Sequence, residues 1–289
     1  MSSIFDMAFG KIDLTDEIHR LAQLFEEDIN CDVINEGFYD NFSLEKFIDC
    51  YCFVDWKERG TYRSLNEIKK ICGLAKIREE TSLDESKATC YLEYLVNMIH
   101  LFERNHNLYN YYYNKYTKNK LYKLMSDNID YILSQLNLME YQIPDKDVMY
   151  KIIPAKAEIC EAIKVTDNID IKCDILEYNH ISIRNNLAAK QKILSNLYKD
   201  FESKRGRLKQ GGCTDIGSNL GFLFNNLGIR HNDQKTKPAI KTMSDPEKLE
   251  WCDRCFQLYV TTILIDEYLT EHKAEIETLK KKDEDEIQN

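Results

Sequence analysis

Apolar residues recur at helical spacing through most of the chain. Across 43–60, Leu44, Phe47, Ile48, Tyr51 and Val54 fall on one face, with Ser43 available as N-cap and Gly60 as a stop, so one helix is expected there. A short second helix is expected over 64–73. Ser82 followed three residues later by Glu85 is a capping-box signature, and it opens a long helix whose positions Tyr91, Leu95, Met98, Ile99 and Phe102 keep the i, i+3, i+4 pattern to about Arg104. Asn105–Asn107 interrupts it. The longest pattern covers 182–210, where Ile183, Leu187, Leu194, Leu197, Phe201 and Leu208 form one stripe and Gly211-Gly212 ends it. An apolar helix over 214–227 follows. Ser244 with Glu247 then opens a last long helix that buries Trp251, Cys255, Tyr259, Thr262 and Ile263. No segment shows strand alternation and no repeat is visible. The expected class is all-α, a helical bundle domain preceded by an N-terminal helical region.

Composition narrows this further. The 289 residues are roughly twice the ~150 expected of one domain. With 43% hydrophobic residues, 4 Pro and 10 Gly, the chain is neither collagen-like nor mostly disordered. Pro144 and Pro154 lie close together and precede Pro238 by a long interval, which marks 142–154 as the break between regions. The expected layout is an N-terminal helical region over 1–150, a helical domain over 151–280, and a charged tail over 281–289 that frays. The N-terminus carries charges too early for a signal peptide, and the apolar run Cys255–Ile265 falls short of the ~20 residues a bilayer requires. A cytoplasmic protein with free thiols and no membrane contact is expected.

The net charge of −10 hides an asymmetry. Residues 184–241 hold 12 Lys and Arg against 4 Asp and Glu, whereas the rest of the chain holds 27 against 45. A locally basic segment in an acidic protein fits a phosphate-contacting surface, and it fits equally a segment that docks on the acidic remainder. Six tyrosines between Tyr109 and Tyr122, interleaved with Asn and Lys, suit base stacking or, as the preferred reading, an aromatic helix face packed inside the domain.

The chain has no GxxxxGK loop, no GxSxG elbow and no HExxH. Cys252 and Cys255 form a lone CxxC inside a helix, read as core thiols like Cys50 and Cys52, and the histidines at 19, 100, 106, 180, 231 and 272 show no i, i+4 pair. No metal and no cofactor are expected. Asn225–Asp233 stands apart, being almost wholly polar or Gly between an apolar helix and a capped one. There Arg230 can hold a scissile phosphate while His231 moves a proton, with an RNA 2′-hydroxyl as nucleophile. The structural alternative has Arg230, Asn232 and Asp233 capping helix ends and His231 bonding a carbonyl. His180 and Arg184, one turn apart, form a secondary pair.

The stretch GFLFNNLGIRHND and the later SDPEKLEWCDRCFQLYVTTILIDEY resemble the C-terminal part of bacterial HEPN-type proteins of the abortive-infection and toxin kind, over about Asn179–Tyr268. In that superfamily a polar residue follows the catalytic Arg, and a His follows after four to six further positions; here His231 is adjacent to Arg230. The resemblance implies a dimeric α-helical bundle and a metal-independent endoribonuclease or RNA-binding effector of phage defence. Arg230, His231 and Asn232 would be catalytic, those of both copies converging on one phosphate. Asn226 and Asp233 would position substrate, while Arg184, Lys204, Arg205, Arg207 and Lys209 would attract RNA, tRNA included. A regulatory protein partner would fit such an effector. The competing expectation is a non-catalytic helical module for dimerisation or partner binding, and a third is nucleic-acid binding without cleavage.

Overall fold

The computed structural model describes residues 13–27, 43–105, 120–229, 240 and 242–287, with 120–123 and 281–287 described by their backbone alone. The chain folds as two compact units, Met1–Pro154 and Ala155–Asn289. Both are helical, and the described residues add one two-stranded antiparallel sheet.

In the first unit, α1 (Leu14–Glu26) is capped by Asp13, whose carboxylate accepts from the backbone of Thr15 and Asp16. It buries Ile18, Leu21, Ala22 and Phe25. The helix expected over 43–60 is broken. After α2 (Leu44–Phe47), capped by Ser43, the chain runs through a π-turn at Ile48–Cys52 and 3-10 turns at Phe53–Asp55 and Lys57–Arg59. A π-turn inserts a residue into the helical period. The stripe therefore rotates, leaving Val54 67% exposed and burying Phe53 and Trp56 instead. Trp56 Nε1 donates to the Val148 carbonyl at 2.8 Å.

The next helix, α3 (Leu65–Ile71), is capped by Ser64, and α4 (Glu85–Arg104) follows it. The cap of α4 is Asp84, which accepts from Lys87 N at 2.7 Å, rather than the expected Ser82–Glu85 box. Leu83 is buried and its N–H donates to Thr15 Oγ1 at 3.0 Å, so the residues before Asp84 are drawn toward α1 and helix begins only after them. Lys69 is buried between Glu26 at 2.6 Å and Glu45 at 2.9 Å, and Tyr94 Oη donates to Glu45 at 3.3 Å. This network joins α1, α2, α3 and α4, and burial raises the Glu45 carboxyl while the two carboxylates raise the Lys69 amine against its own desolvation.

After α5 (Lys120–Gln135), β1 (Leu138–Gln142) pairs with β2 (Tyr150–Pro154), Leu138 opposite Pro154 and Gln142 opposite Tyr150. This hairpin overturns the expectation of no strands, and its cause is tertiary. The Asn97 amide of α4 donates to the Tyr150 carbonyl at 2.9 Å while its oxygen accepts Tyr150 N–H at 2.8 Å, and Glu93 accepts Ile152 N–H at 2.8 Å. Helix side chains thus serve as the missing neighbour on the far edge of β2.

In the second unit, α6 (Ala157–Val165) and α7 (Ile169–Asn179, capped by Asn168) precede the long helix. The continuous helix expected over 182–210 is divided into a 3-10 turn at Ile181–Ile183 and α8 (Leu187–Gln210), because Asn186 accepts Ala189 N–H at 3.0 Å and starts the helix afresh. Then come α9 (Thr214–Asn226) and α10 (Asp245–Glu267), the latter opened by the Ser244–Glu247 capping box. Tyr259, Cys255, Phe256 and Ile263 of α10 pack into the core with Leu194, Leu197 and Phe201 of α8 and Phe224 of α9. Trp251, expected on that face, is only half-buried and lies under the Arg254 guanidinium at 4.7 Å. Ties at 190/253, 200/259 and 207/266 advance together along both helices, so α8 and α10 run parallel, with α9 in the connection between them. Past a π-turn at Tyr268–His272, α11 spans Lys273–Ile287. The tail expected to fray is therefore helical to Ile287, in keeping with its Glu- and Lys-rich composition and an i, i+3 pair between Glu277 and Lys280 at 3.2 Å.

His100 provides a pH test of the first unit. Its ring stacks on Tyr150 at 3.8 Å and faces Glu140 at 3.1 Å and Glu103 at 3.5 Å. Burial alone would lower its pKa, but the two carboxylates outweigh that and raise it to about 9. A pKa above the unfolded value of 6.5 means stabilisation that is complete below that pH and lost as pH rises through about 9. Thermal melts across this window should show stability falling with pH, and His100→Gln should flatten the fall; an equal slope in both proteins would refute the assignment.

Candidate functional site

Arg230, His231, Asn232 and Asp233 lie outside the described residues, as do residues 106–119 of the tyrosine-rich stretch. The structure fixes the approach to that connection. Helix α9 ends at Asn226, and Leu227, 2% exposed, and Ile229, 6% exposed, remain in the core. Gln191 of α8 donates from Nε2 to the Leu227 carbonyl at 2.7 Å. Gly228 adopts φ +71°, and a Cβ there would stand 3.2 Å from Gln191 Nε2. The backbone is thereby anchored to α8 at Leu227, three residues before Arg230. Asn226, expected to position substrate, is 9% exposed, and its amide donates to the Phe222 carbonyl one turn back at 2.8 Å. On the far side, the Ser244 cap fixes the start of α10.

The expected phosphate-binding residues are dispersed rather than gathered. Lys204 pairs with Asp200, which also accepts Tyr259 Oη–H at 2.6 Å. Arg207 forks onto Asp266 with two bonds of 2.6 and 2.7 Å. That carboxylate is 7% exposed and raises the Arg207 pKa through its hydrogen bonds. Arg205 reaches Glu202 at 3.3 Å on the surface. Lys209 is exposed with no ion pair among the described residues, and Arg184 is exposed at the end of the 3-10 turn.

A basic residue outside the sequence reading is the most deeply buried of its kind among the described residues. Lys190 is 4% exposed, 2.5 Å from Asp253 Oδ1, and 5.2 Å over the ring of Tyr178. Tyr178 donates its hydroxyl to the same oxygen at 2.9 Å and stacks on Phe256 at 4.0 Å. Desolvation, then the Asp253 charge, push the Tyr178 hydroxyl well up, so it stays a donor. The signal was present in the sequence, because Lys190 falls on the stripe of Leu187, Leu194 and Leu197, and a cation on an apolar face demands an anion.

Beside these ties, a cleft of about 660 Å³ is lined by Asn168, Asp170, Asp174, Asn196, Lys199 and Asp200. Burial raises the Asp174 carboxyl, partly offset by a hydrogen bond from Asn196. With three carboxylates to one amine, this surface favours cations over phosphate.

Cys252 and Cys255 are buried, and desolvation pushes both thiols up, Cys252 to about 12, which keeps them protonated and unreactive. Cys52 behaves alike, also at about 12, whereas Cys50 is exposed, contrary to its reading as a core thiol, because the π-turn rotates it outward. His180 is 7% exposed, and its Nδ1 accepts from Ser182 N–H at 3.3 Å, capping the 3-10 turn. Among the described residues no group of three or more His, Cys, Asp or Glu is placed to hold a metal ion, and no helix is long and apolar enough to cross a membrane. Comparison with family models, curated proteins and solved structures finds no match to this chain.

The anchoring of the connection is testable. Gly228→Ala should lower the stability of the second unit by about 1–2 kcal/mol, the cost of a left-handed backbone for a residue with a Cβ. Chemical denaturation checks this, and an unchanged midpoint would mean the turn does not hold the chain as described.

Proposed function

We propose that the protein is an RNA-directed effector of bacterial phage defence, acting in the cytoplasm as a homodimer through a HEPN-like C-terminal unit that cleaves RNA without a metal. The observation that carries this reading is the anchoring of Leu227–Ile229 on α8 by Gln191, opposite the capped start of α10. A polar connection held at both ends by a rigid scaffold is where catalytic groups sit best. In the proposed reaction His231 takes the proton of an RNA 2′-hydroxyl as its oxygen attacks the adjacent phosphorus. Arg230 stabilises the charge on the phosphoryl oxygens, and the P–O5′ bond breaks, the 5′-oxygen gaining a proton. The products are a 2′,3′-cyclic phosphate and a 5′-hydroxyl. Asn232 and Asp233 would orient the substrate, with Arg184 and Lys209 supplying long-range attraction. A regulatory protein partner would keep such an activity silent.

A second reading, a non-catalytic helical interaction module, is favoured by the ion pairs. Lys190, Lys204 and Arg207 are matched by carboxylates of their own unit, as expected of a basic segment that docks internally.

The two readings part in one experiment. Wild-type protein incubated with total RNA or tRNA should give discrete fragments with cyclic-phosphate ends, equally with and without EDTA, and His231→Ala should give none while melting normally. Cleavage that persists in His231→Ala removes this residue from the mechanism. Intact RNA with folded wild-type protein supports the interaction module.

A further inference from the structure

One phenylalanine departs from the rule that the others keep. Seven of the eight phenylalanines among the described residues are at most 4% exposed, whereas Phe222 of α9 is 45% exposed. Its surroundings are polar. The exposed side of α9 carries Thr214, Asp215, Ser218, Asn219 and Asn225 besides the ring. Helices α8 and α9 run antiparallel: Phe201 of α8 meets Phe224 of α9 at 5.6 Å, and one turn further along α8 Arg205 lies against Gly221, its Nη2 3.7 Å from where a Cβ would stand. Phe222 is the next residue. Lys209, one turn beyond Arg205 on the same face of α8 and exposed like it, continues the line of cations. Among the described residues Arg205 has one ion pair, on the surface with Glu202, and Lys209 has none.

We propose that Phe222 is a stacking platform for one unpaired base of single-stranded RNA, with Arg205 and Lys209 meeting the phosphates beside it. An aromatic ring takes any base by its face, and a line of cations tracks the backbone. The surroundings of the ring decide between this occupant and a second protein. A stable protein interface takes about 800 Å² from each partner around an apolar centre, and one ring among hydroxyls and amides does not supply it. That ring does match a single base, with polar neighbours for the base edge and the ribose. The one acid on this side, Asp215, lies about two turns back toward the start of α9. Asn226, the last residue of α9, donates to the Phe222 carbonyl, and the chain passes from there into the connection that carries Arg230 and His231. The inference rests on the RNA-directed reading and adds to it the form of the substrate, a single strand held by one base on the helix that leads into the connection.

Fluorescence anisotropy with a short 2′-O-methyl RNA single strand separates binding from cleavage, because the methyl group removes the attacking hydroxyl. Phe222→Leu keeps an apolar side chain and should melt like the wild type. It should bind this strand roughly five- to a hundredfold more weakly, the loss of one stacked base. Phe222→Trp should bind at least as tightly as wild type, and its added indole emission should be quenched by the strand. Arg205→Gln combined with Lys209→Gln should weaken binding and lessen its fall with salt. Equal affinity of wild type and Phe222→Leu, or no binding by the wild type, would overturn the proposal. A change of oligomeric state in Phe222→Leu, seen by sedimentation, would also overturn it by making the ring a contact between copies. Binding that needs Phe222 while natural RNA stays intact would refute cleavage and leave the platform. Cyclic-phosphate fragments together with equal affinity of wild type and Phe222→Leu would refute the platform and leave cleavage in place.

Discussion

Asp266 lies near the end of α10, before the π-turn, with its carboxylate almost out of water. Such a group must be met by a cation or it does not stay ionised. Arg207 meets it with a two-bond fork, and α8 is held beside α10 as a result. Nearer the start of both helices the roles reverse, with Lys190 the buried member and Asp253 its answer. Tyr259 on Asp200 makes a third tie between them. These ties set two long helices parallel, and parallel neighbours need a long connection. That connection contains α9 and the polar stretch from Asn225 to Asp233.

This arrangement changes what the local basicity means. Counted along the chain, residues 184–241 look like a surface for phosphate. Counted in space, Lys190, Lys204 and Arg207 have carboxylates of the same unit within bonding distance. An ion pair with one member desolvated is not released to a ligand without leaving a buried charge behind. Lys209 is exposed without an ion pair among the described residues, and Arg205 is weakly held, its surface pair with Glu202 being worth little. Chemistry in this unit therefore depends more on the anchored connection than on the face of α8.

What the sequence disclosed follows from how local each feature is. The capping box of α10 needs only Ser244 and Glu247, and the stripe of α4 needs only its own residues, so both were legible. The hairpin was not, because Asn97 and Glu93, which complete the edge of β2, lie over fifty residues away in sequence. The Asp84 cap was displaced from the expected Ser82 by a contact of Leu83 with Thr15, again remote. The π-turn after Phe47 erased a stripe that looked helical to Val54. α1, α6 and α7 carry ordinary helical patterns that sequence reading passed over, although Asp13 and Asn168 both cap visibly. Of the candidate site, Asn226 and the basic residues were found as residues, but their partners were not, since an ion pair between α8 and α10 leaves no trace in either helix alone.

The coupling between Arg207 and Asp266 bears most directly on this account. A double-mutant cycle with Arg207→Ala, Asp266→Ala and the double variant, read by chemical denaturation, isolates it. The structure predicts a coupling energy of at least about 1 kcal/mol, as for contacting residues in one network. A value within about 0.3 kcal/mol of zero would contradict it, and would return Arg207 to the pool of cations available for RNA.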